Sequence, residues 1–307
     1  MDVSLRRLRY ALAAADHGNV TAAARALNVS QPSVSLAIAE LESSLGLRLF
    51  VRQHSRGVAP TAAGIEVLRE ARKLLAHAAD FATGVAAGQE ALAGSLTIGC
   101  LAYLVPRYLG PMLSGFAVRH PLVEVGFQEG DQDELVRGMT SGRLELALTY
   151  DVGLPRAFAR ELLRELPPYV IVATRHRLAR RGAIALREIA EEPCVLLDLP
   201  ISRDYFAAIF GALGLTPNLR YRSASVEAVR SFVGNGLGYS ILNHTARSAT
   251  TYDGKRLASL RLTDKLRPSR IAAAYLAGHD LRPVAAAFLG YARDYFRAEG
   301  TAEKRRA

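Results

Sequence analysis

The segment from Asn19 to Phe50, NVTAAARALNVSQPSVSLAIAELESSLGLRLF, constrains the fold more than any other part of the chain. It holds two short helical patterns separated by a break too tight for an independent loop. Thr21 is placed to cap the first helix, whose Ala22, Ala23, Ala24, Ala26 and Leu27 permit close packing. Asn28-Val29-Ser30 interrupts it. Ser30 is a good N-cap for the second helix, and Pro32 falls where its missing N–H costs nothing. Val34, Ile38, Leu41 and Leu45 follow at spacings of four, three and four, so one face of this helix is buried. The opposite face presents Gln31, Ser33, Ser35 and Ala37, a small and neutral surface.

Two helices joined by a three-to-four-residue turn form a helix-turn-helix, whose second helix enters the DNA major groove with its N-terminal residues near base edges. Glutamine there pairs with adenine, and serine reaches bases or phosphate. An αα-hairpin in a helical core satisfies the same periodicity. Beyond the second helix, Leu47 to Ala59 alternates polar and apolar residues around Gly57, a pattern for a short two-stranded wing with Arg52, Gln53, His54 and Arg56 at its tip. A basic tip beside a recognition helix is placed for backbone or minor-groove contacts.

Thr61 then caps a long helix reaching about Gly88. Leu68, Leu75 and Ala82 recur every seven residues, interleaved with Ala71, Ala78 and Val85. That apolar seam pairs with another helix, either in a second copy of the chain or in its own domain. Pairing between copies presents two recognition helices to two half-sites of a pseudo-palindrome.

The formal charge of +10 suits association with polyanions, but residues 1–90 hold 10 Lys/Arg and 8 Asp/Glu, so the excess lies further along the chain. Arg6, Arg7, Arg9, Arg48, Arg52 and Arg56 are the arginines available for phosphates. Cys100 and Cys194 fall in apolar strand-like runs, as reduced buried thiols do. No export leader and no apolar run of membrane-spanning length is evident, so a cytoplasmic location is expected.

Glycines near 88–94 mark a boundary. Beyond it, β-like runs (96–100, 123–128, 144–150, 170–174, 194–199, 219–223, 239–242, 270–276) alternate with helical patterns (107–119, 134–140, 203–213, 226–235, 281–297), the signature of parallel sheets covered by helices. In such sheets ligands sit beyond the carboxyl ends of strands. Those ends carry Ala102 and Tyr103, Thr149 and Asp151, Ser202 and Arg203, and Ser225, with Ser202 and Ser225 read as helix caps. An enzyme finds little support: Gly234-Asn235-Gly236-Leu237-Gly238 precedes a strand and lacks the Lys-Ser/Thr of a phosphate loop, and the 7 histidines show no metal spacing. No Gly-x-Ser-x-Gly elbow occurs, and Asp131, Asp133 and Glu134 fit a helix N-terminus. No cofactor or metal is indicated.

The first 75 or so positions resemble the N-terminal domain of the LysR-type transcriptional regulators. The resemblance is carried by Leu5-Arg6-Arg7-Leu8-Arg9-Tyr10, Thr21 to Leu27, Ser30-Gln31-Pro32-Ser33-Val34-Ser35, Ile38, Leu41-Glu42, Leu45-Gly46, Leu49-Phe50, Arg52, Gly57, Thr61 and Ala63-Gly64. Many members carry a basic or amide side chain just after the second serine, where Leu36-Ala37 stand here. Residues 91–300 resemble the family's effector domain through Gly94 to Gly99, Leu135, Gly142 to Leu148 and Val233 to Gly238. The family resemblance implies an α/β protein overall: an all-α-type winged helix-turn-helix over 1–60, a linker and dimerisation helix over 61–90, and a tail over 301–307. Its two-lobed effector domain, of the periplasmic-binding-protein type, has lobe I at about 91–165 and 268–300 and lobe II at about 166–267.

It further implies a non-enzymatic, DNA-binding transcriptional regulator controlled by a small molecule held between the lobes. Its partners would be double-stranded DNA at a pseudo-palindromic operator, itself as dimer or tetramer, an effector such as an organic acid or aromatic compound, and RNA polymerase if it activates. Carried onto this chain, DNA contacts fall to Arg9, Thr21, Ser30, Gln31, Pro32, Ser33, Ser35, Arg52 and Arg56, and dimerisation to Leu68, Ala71, Leu75, Ala78 and Ala82. Effector contacts fall to Ala102, Tyr103, Thr149, Asp151, Ser202, Arg203 and Ser225. Ala102-Tyr103 replace the serine or threonine that often holds an effector carboxylate.

Overall fold

The computed structural model describes residues 3–53, 57–87, 92–243, 248–278 and 280–304. Helix α1 (Leu5–His17) ends on Gly18 in the left-handed region, and α2 (Val20–Ala26) begins two residues later. Its cap is Asn19, not Thr21: the Asn19 Oδ1 accepts from the backbone N–H groups of Thr21 and Ala22 at 2.8 and 3.1 Å. Thr21 therefore lies inside the first turn. Asn28, at φ 54, then turns the chain into α3 (Gln31–Leu45), where asparagine tolerates a backbone that most residues avoid.

A hairpin follows, with β1 (Phe50–Gln53) antiparallel to β2 (Gly57–Pro60) and Arg52 opposite Val58. Gly57 has φ +92, and a Cβ there would lie 2.1 Å from the Gly18 carbonyl oxygen. Only glycine lets the hairpin close onto the end of α1, where the Val58 N–H donates to Gly18 O at 2.8 Å. The Glu42 carboxylate accepts from the backbone of Leu49 and Phe50, fixing the exit of α3.

Helix α4 (Ala62–Ala87) is capped by Thr61, whose Oγ1 accepts from Gly64 N–H at 2.9 Å. Its first half belongs to the DNA-side core, with Leu68 and Ala71 packed among Leu8, Leu12, Val34, Ile38 and Leu41. Its second half meets the sheet that follows. Strand β3 (Gly94–Leu101) leads through a π-helical turn (Val105–Leu109) into α5 (Gly110–Arg119), then β4 (Val123–Gly130), α6 (Gln132–Thr140), β5 (Leu146–Tyr150) and β6 (Phe158–Leu166). β3 runs parallel to both β4 and β5. The sheet order is β4-β3-β5-β13-β6, so β13 (Ser269–Leu276), from near the end of the chain, sits inside it. Helix α9 (Pro283–Lys304) covers it with Phe288 and Phe296, both buried.

The remaining strands are β7 (Tyr169–Ala173), β8 (Ala183–Ile184), β9 (Pro193–Leu197), β10 (Asn218–Ser223), β11 (Ser240–Leu242) and β12 (Leu257–Leu262). Helices α7 (Pro200–Ala212) and α8 (Val226–Gly234) pack against them. β9 and β10 are parallel, but β7 is antiparallel to both β11 and β12. The sheets are thus mixed, where the alternating pattern predicts parallel ones. β6, β8 and β12 have no counterpart in that pattern.

The chain divides into two compact units, one of 1–149, 155–161 and 273–307, the other of 150–154 and 162–272. The chain passes between them at 149/150, 154/155, 161/162 and 272/273. The last two crossings fall within β6 and β13, several residues from the lobe bounds near 166 and 267 that the resemblance implies, and the short excursion 150–154 has no counterpart there. α9 continues through Ala302 to Lys304, so most of the expected tail is helical, and residues 305–307 lie outside the described residues.

Within the first unit, α4 is tied to the sheet by buried charge. The Arg282 guanidinium donates to Asp80 Oδ2 at 2.6 Å, to Ser95 O at 2.7 Å and to Glu145 Oε2 at 3.0 Å, with its side chain only 4% exposed. Burial alone would lower its pKa, yet Glu145 and Asp80 hold it above the ordinary arginine value. Gly94 makes room, since a Cβ there would lie 2.0 Å from Asp80 Oδ1. Nearer its middle, α4 sends Arg72 to Asp16 of α1 at 3.0 Å and to Ser141 O at 3.1 Å. Removing one partner strands the others in a poorly solvated place. Arg282→Met is therefore expected to cost about 3–5 kcal/mol in urea unfolding followed by tyrosine fluorescence. Adding Asp80→Asn and Glu145→Gln should restore most of the loss, and a triple variant no more stable than Arg282→Met would contradict this account.

Candidate nucleic-acid interface and effector site

The N-terminus of α3 is built by Ser30, whose Oγ accepts from Ser33 N–H at 3.3 Å, with Pro32 in the first turn. Gln31, Pro32 and Ser33 are exposed there, and Ser35 is half-buried. These side chains are ordered among themselves: Gln31 Nε2 donates to Ser35 Oγ at 2.8 Å, and the hydroxyls of Ser30 and Ser33 pair at 2.7 Å. Ala37, expected on this face, is buried; Leu36 takes the outward place. The reason is the helical phase, which the buried Val34, Ile38 and Leu41 set.

Arg6 and Arg9 on α1, Arg25 on α2 and Arg52 on the wing are exposed cations of the same module. Arg48 is exposed too, 3.9 Å from Glu42. Arg7 differs: its Nε lies 2.9 Å from Glu40 of α3, so it holds two helices together rather than awaiting a phosphate. Arg56 and His54 lie outside the described residues.

The expected seam on α4 divides. Leu68 and Ala71 are 3% and 4% exposed and belong to the module's own core, on which Leu75 packs. Ala78 is half-buried and Ala82 exposed. The more open stripe keeps Ala78 and Val85 of the expected seam and takes Leu74 and Phe81 in place of Leu75 and Ala82, at spacings of four, three and four, with Phe81 73% exposed.

In the C-terminal half each unit gathers part of the expected effector set. In the first, the carboxyl ends of the parallel β3, β4 and β5 carry Ala102-Tyr103, Gly130 and Thr149. Ala102 N–H donates to Gly130 O at 3.1 Å, and Thr149 Oγ1 to Gln132 Oε1 at 3.3 Å. In the second, β9 and β10 end side by side, with Asp198 N–H donating to Ser223 O at 2.8 Å. Ser225 caps α8 there, accepting from Ala228 N–H at 3.3 Å. Ser202 is no cap: α7 starts at Pro200, whose fixed φ suits a first helical position, and Ser202 is buried inside the first turn. Arg203 is paired with Asp198 at 2.5 Å, with Arg222 3.7 Å away on the same carboxylate.

Asp151 is likewise engaged, 2.7 Å from Arg270, so its charge is neutralised within its own unit. Asn243 accepts from the Tyr150 hydroxyl at 3.3 Å, both residues being buried. Gln132, Asn243 and Arg270 were not legible beside Thr149, Tyr150 and Asp151, because these partners lie apart in sequence, and Asp198 gave no signal of its pairing with Arg203 and Arg222. The acidic run resolves as a capping box at α6, Asp131 Oδ1 accepting from Glu134 N–H and Glu134 Oε2 from Asp131 N–H. No three-residue set of metal-ligating side chains occurs among the described residues. Cys100 and Cys194 are free and buried, and burial pushes each thiol up to about 12. No described helix is long and apolar enough to cross a membrane.

Residues 5–65 match the bacterial regulatory helix-turn-helix of the lysR family, and residues 89–297 match the LysR substrate binding domain. Among curated proteins, the chain is 30% identical over 246 residues to the uncharacterized HTH-type transcriptional regulator YnfL of Escherichia coli (strain K12), covering 79% of this chain and 82% of that one. It is 30% identical over 286 residues to a probable hydrogen peroxide-inducible genes activator of Streptomyces viridosporus, covering 90% of this chain and 88% of that one. Among solved structures it is similar to HinK, a LysR family transcriptional regulator from Pseudomonas aeruginosa, at 37% identity and a TM-score of 0.65, covering 95% of this chain and 98% of that one. With a helix-turn-helix at one end, an effector-binding α/β domain at the other and family matches across both, the chain belongs to the LysR family of transcriptional regulators.

Proposed function

We propose that the chain recognises a pseudo-palindromic operator as a dimer or tetramer and that an effector held by its C-terminal domain changes the geometry of the DNA-bound assembly. The observation that carries this is the capped, solvent-facing start of α3, with Gln31 and Ser33 exposed there and Arg52 exposed on the wing strand. Residues 1–60 act as the DNA-binding module, 61–90 as linker and dimerisation helix and 91–300 as the sensor. It acts in the cytoplasm without catalysing a reaction, and contacts RNA polymerase if it activates. Gln31, Pro32, Ser33 and Ser35 face bases, while Arg9, Arg52, Arg56, Thr21 and Ser30 secure the register on the phosphates. The effector shifts the equilibrium only to the extent that it binds one arrangement more tightly.

For the effector we favour an organic acid or aromatic compound. Ala102 and Tyr103 offer an apolar and aromatic edge, Thr149 lies beside Gln132, and in the other unit Arg203 and Arg222 share the single Asp198 carboxylate near the N-termini of α7 and α8, a net cationic end. Ser202 and Ser225 shape that end, and Asp151 is already paired with Arg270 after β5. A peroxide-sensing thiol is a poorer fit: with pKa values pushed up to about 12, neither Cys100 nor Cys194 is a thiolate at neutral pH.

Three outcomes test this reading. Gln31→Ala and Ser33→Ala are expected to weaken operator binding about tenfold while leaving random-sequence binding within about twofold, whereas Arg52→Ala weakens both and flattens the salt dependence; equal losses on both DNAs from all three would contradict the assignments. Phe81→Glu should convert the protein to monomers in analytical ultracentrifugation with an unchanged circular dichroism spectrum, and unaltered assembly would remove α4 as the pairing surface. Treating the native protein with hydrogen peroxide should leave its operator affinity unchanged, and a thiol reagent should label the cysteines only after denaturation.

A further inference from the structure

The outward stripe of α3 is apolar where a reading helix ordinarily offers hydrogen-bonding groups. Pro32, Leu36 and Ala39 are exposed at spacings of four and three, while Val34, Ala37, Ile38 and Leu41 are buried behind them. Leu36 is 61% exposed, one turn beyond Pro32 on the same stripe. Taken alone, an exposed leucine needs no explanation. This one projects from the element that the helix-turn-helix presents to DNA, on the same face as Pro32 and Ser33. The polar side chains around it are already hydrogen-bonded to one another, Gln31 to Ser35 and Ser30 to Ser33. Leucine has no group for a phosphate or a polar base edge. In the major groove, the one apolar group that distinguishes a base is the 5-methyl of thymine.

We propose that Leu36 is a specificity-determining residue that packs on thymine 5-methyl groups, so that each half-site carries a T·A pair opposite the second turn of α3. The proposal rests on the reading of α3 as the DNA-recognition helix, and it names what that helix selects. Burying a methyl against Leu36 gains the transfer free energy of one apolar carbon and no hydrogen bond, so discrimination arises by shape and desolvation. Such a contact leaves the counterion release of the arginines untouched.

The test uses the full-length protein and an operator selected from random duplex by the protein itself. Each thymine is replaced singly by deoxyuridine, which keeps the base pair and removes only the methyl, and affinity is read by fluorescence anisotropy for the wild type and for Leu36→Ala. The expected result is one or two positions per half-site where deoxyuridine weakens the wild type about fourfold and Leu36→Ala by less than about twofold, with the same salt slope for both proteins. Because Leu36 is exposed, Leu36→Ala should keep the wild-type melting temperature, and a second variant, Leu36→Gln, should lose the methyl preference while still binding DNA. Specific binding with no thymine sensitive in the wild type overturns the proposal and leaves the DNA reading intact, as does sensitivity undiminished in Leu36→Ala. Failure to select any sequence over random would instead overturn the DNA reading and this inference with it. Unchanged DNA selectivity in both Leu36 variants would move the residue to a protein-facing role.

Discussion

Arg282 sits where three segments distant in sequence meet, and its guanidinium is satisfied only when all three are in place: Asp80 from α4, Ser95 from β3 and Glu145 from just before β5. An isolated ion pays heavily for leaving water, and only the full set of acceptors offsets that cost. The set fixes the far end of α4 against the sheet, while Leu68 and Ala71 bury its near end in the helix-turn-helix core. A helix of 26 residues, about 39 Å long, thus belongs to two cores at once. Arg72, bound to Asp16 on one side and Ser141 on the other, pins it midway.

Polar pairing also qualifies the chain's basic character. The formal charge of +10 suggests a broadly polyanion-seeking surface, yet Arg7, Arg72, Arg107, Arg230, Arg282 and Arg293 each meet a carboxylate within 3.0 Å. Charge that is internally neutralised joins elements and does little for long-range attraction. The exposed arginines of the helix-turn-helix, Arg6, Arg9, Arg25, Arg48 and Arg52, are few and spread over α1, α2 and the stretch after α3.

What the sequence made legible follows from the range of each interaction. Caps act over three residues, and Ser30, Thr61, Asp131 and Ser225 all cap where their neighbours say they should. Asn19 is a better cap than Thr21, and the left-handed Gly18 ends α1 just before it, so α2 starts there. On α4 the pairs Leu74 and Phe81, and Leu75 and Ala82, repeat at seven residues one position apart, so periodicity identified a seam without saying which pair a neighbouring core would cover. Phe158–Leu166 is rich in Arg and Glu, and its alternating burial emerges only as a sheet edge. The ion pairs of Asp151 with Arg270 and of Arg282 with Glu145 join positions more than a hundred residues apart, beyond any local pattern.

The placement of β13 inside the five-stranded sheet governs how the chain must be made. Helices α1 to α3, the hairpin and the start of α4 share one apolar core and precede the sheet strands in the chain. Strand β5, buried along its whole length, has to wait for β13, which begins at Ser269. At typical elongation rates that interval is roughly 6–24 s, during which a strand that is wholly buried in the finished sheet has an unfilled edge. The helix-turn-helix core is thus complete before the sheet can close, and the interval until β13 is made is a window in which chaperone capture favours correct closure over aggregation.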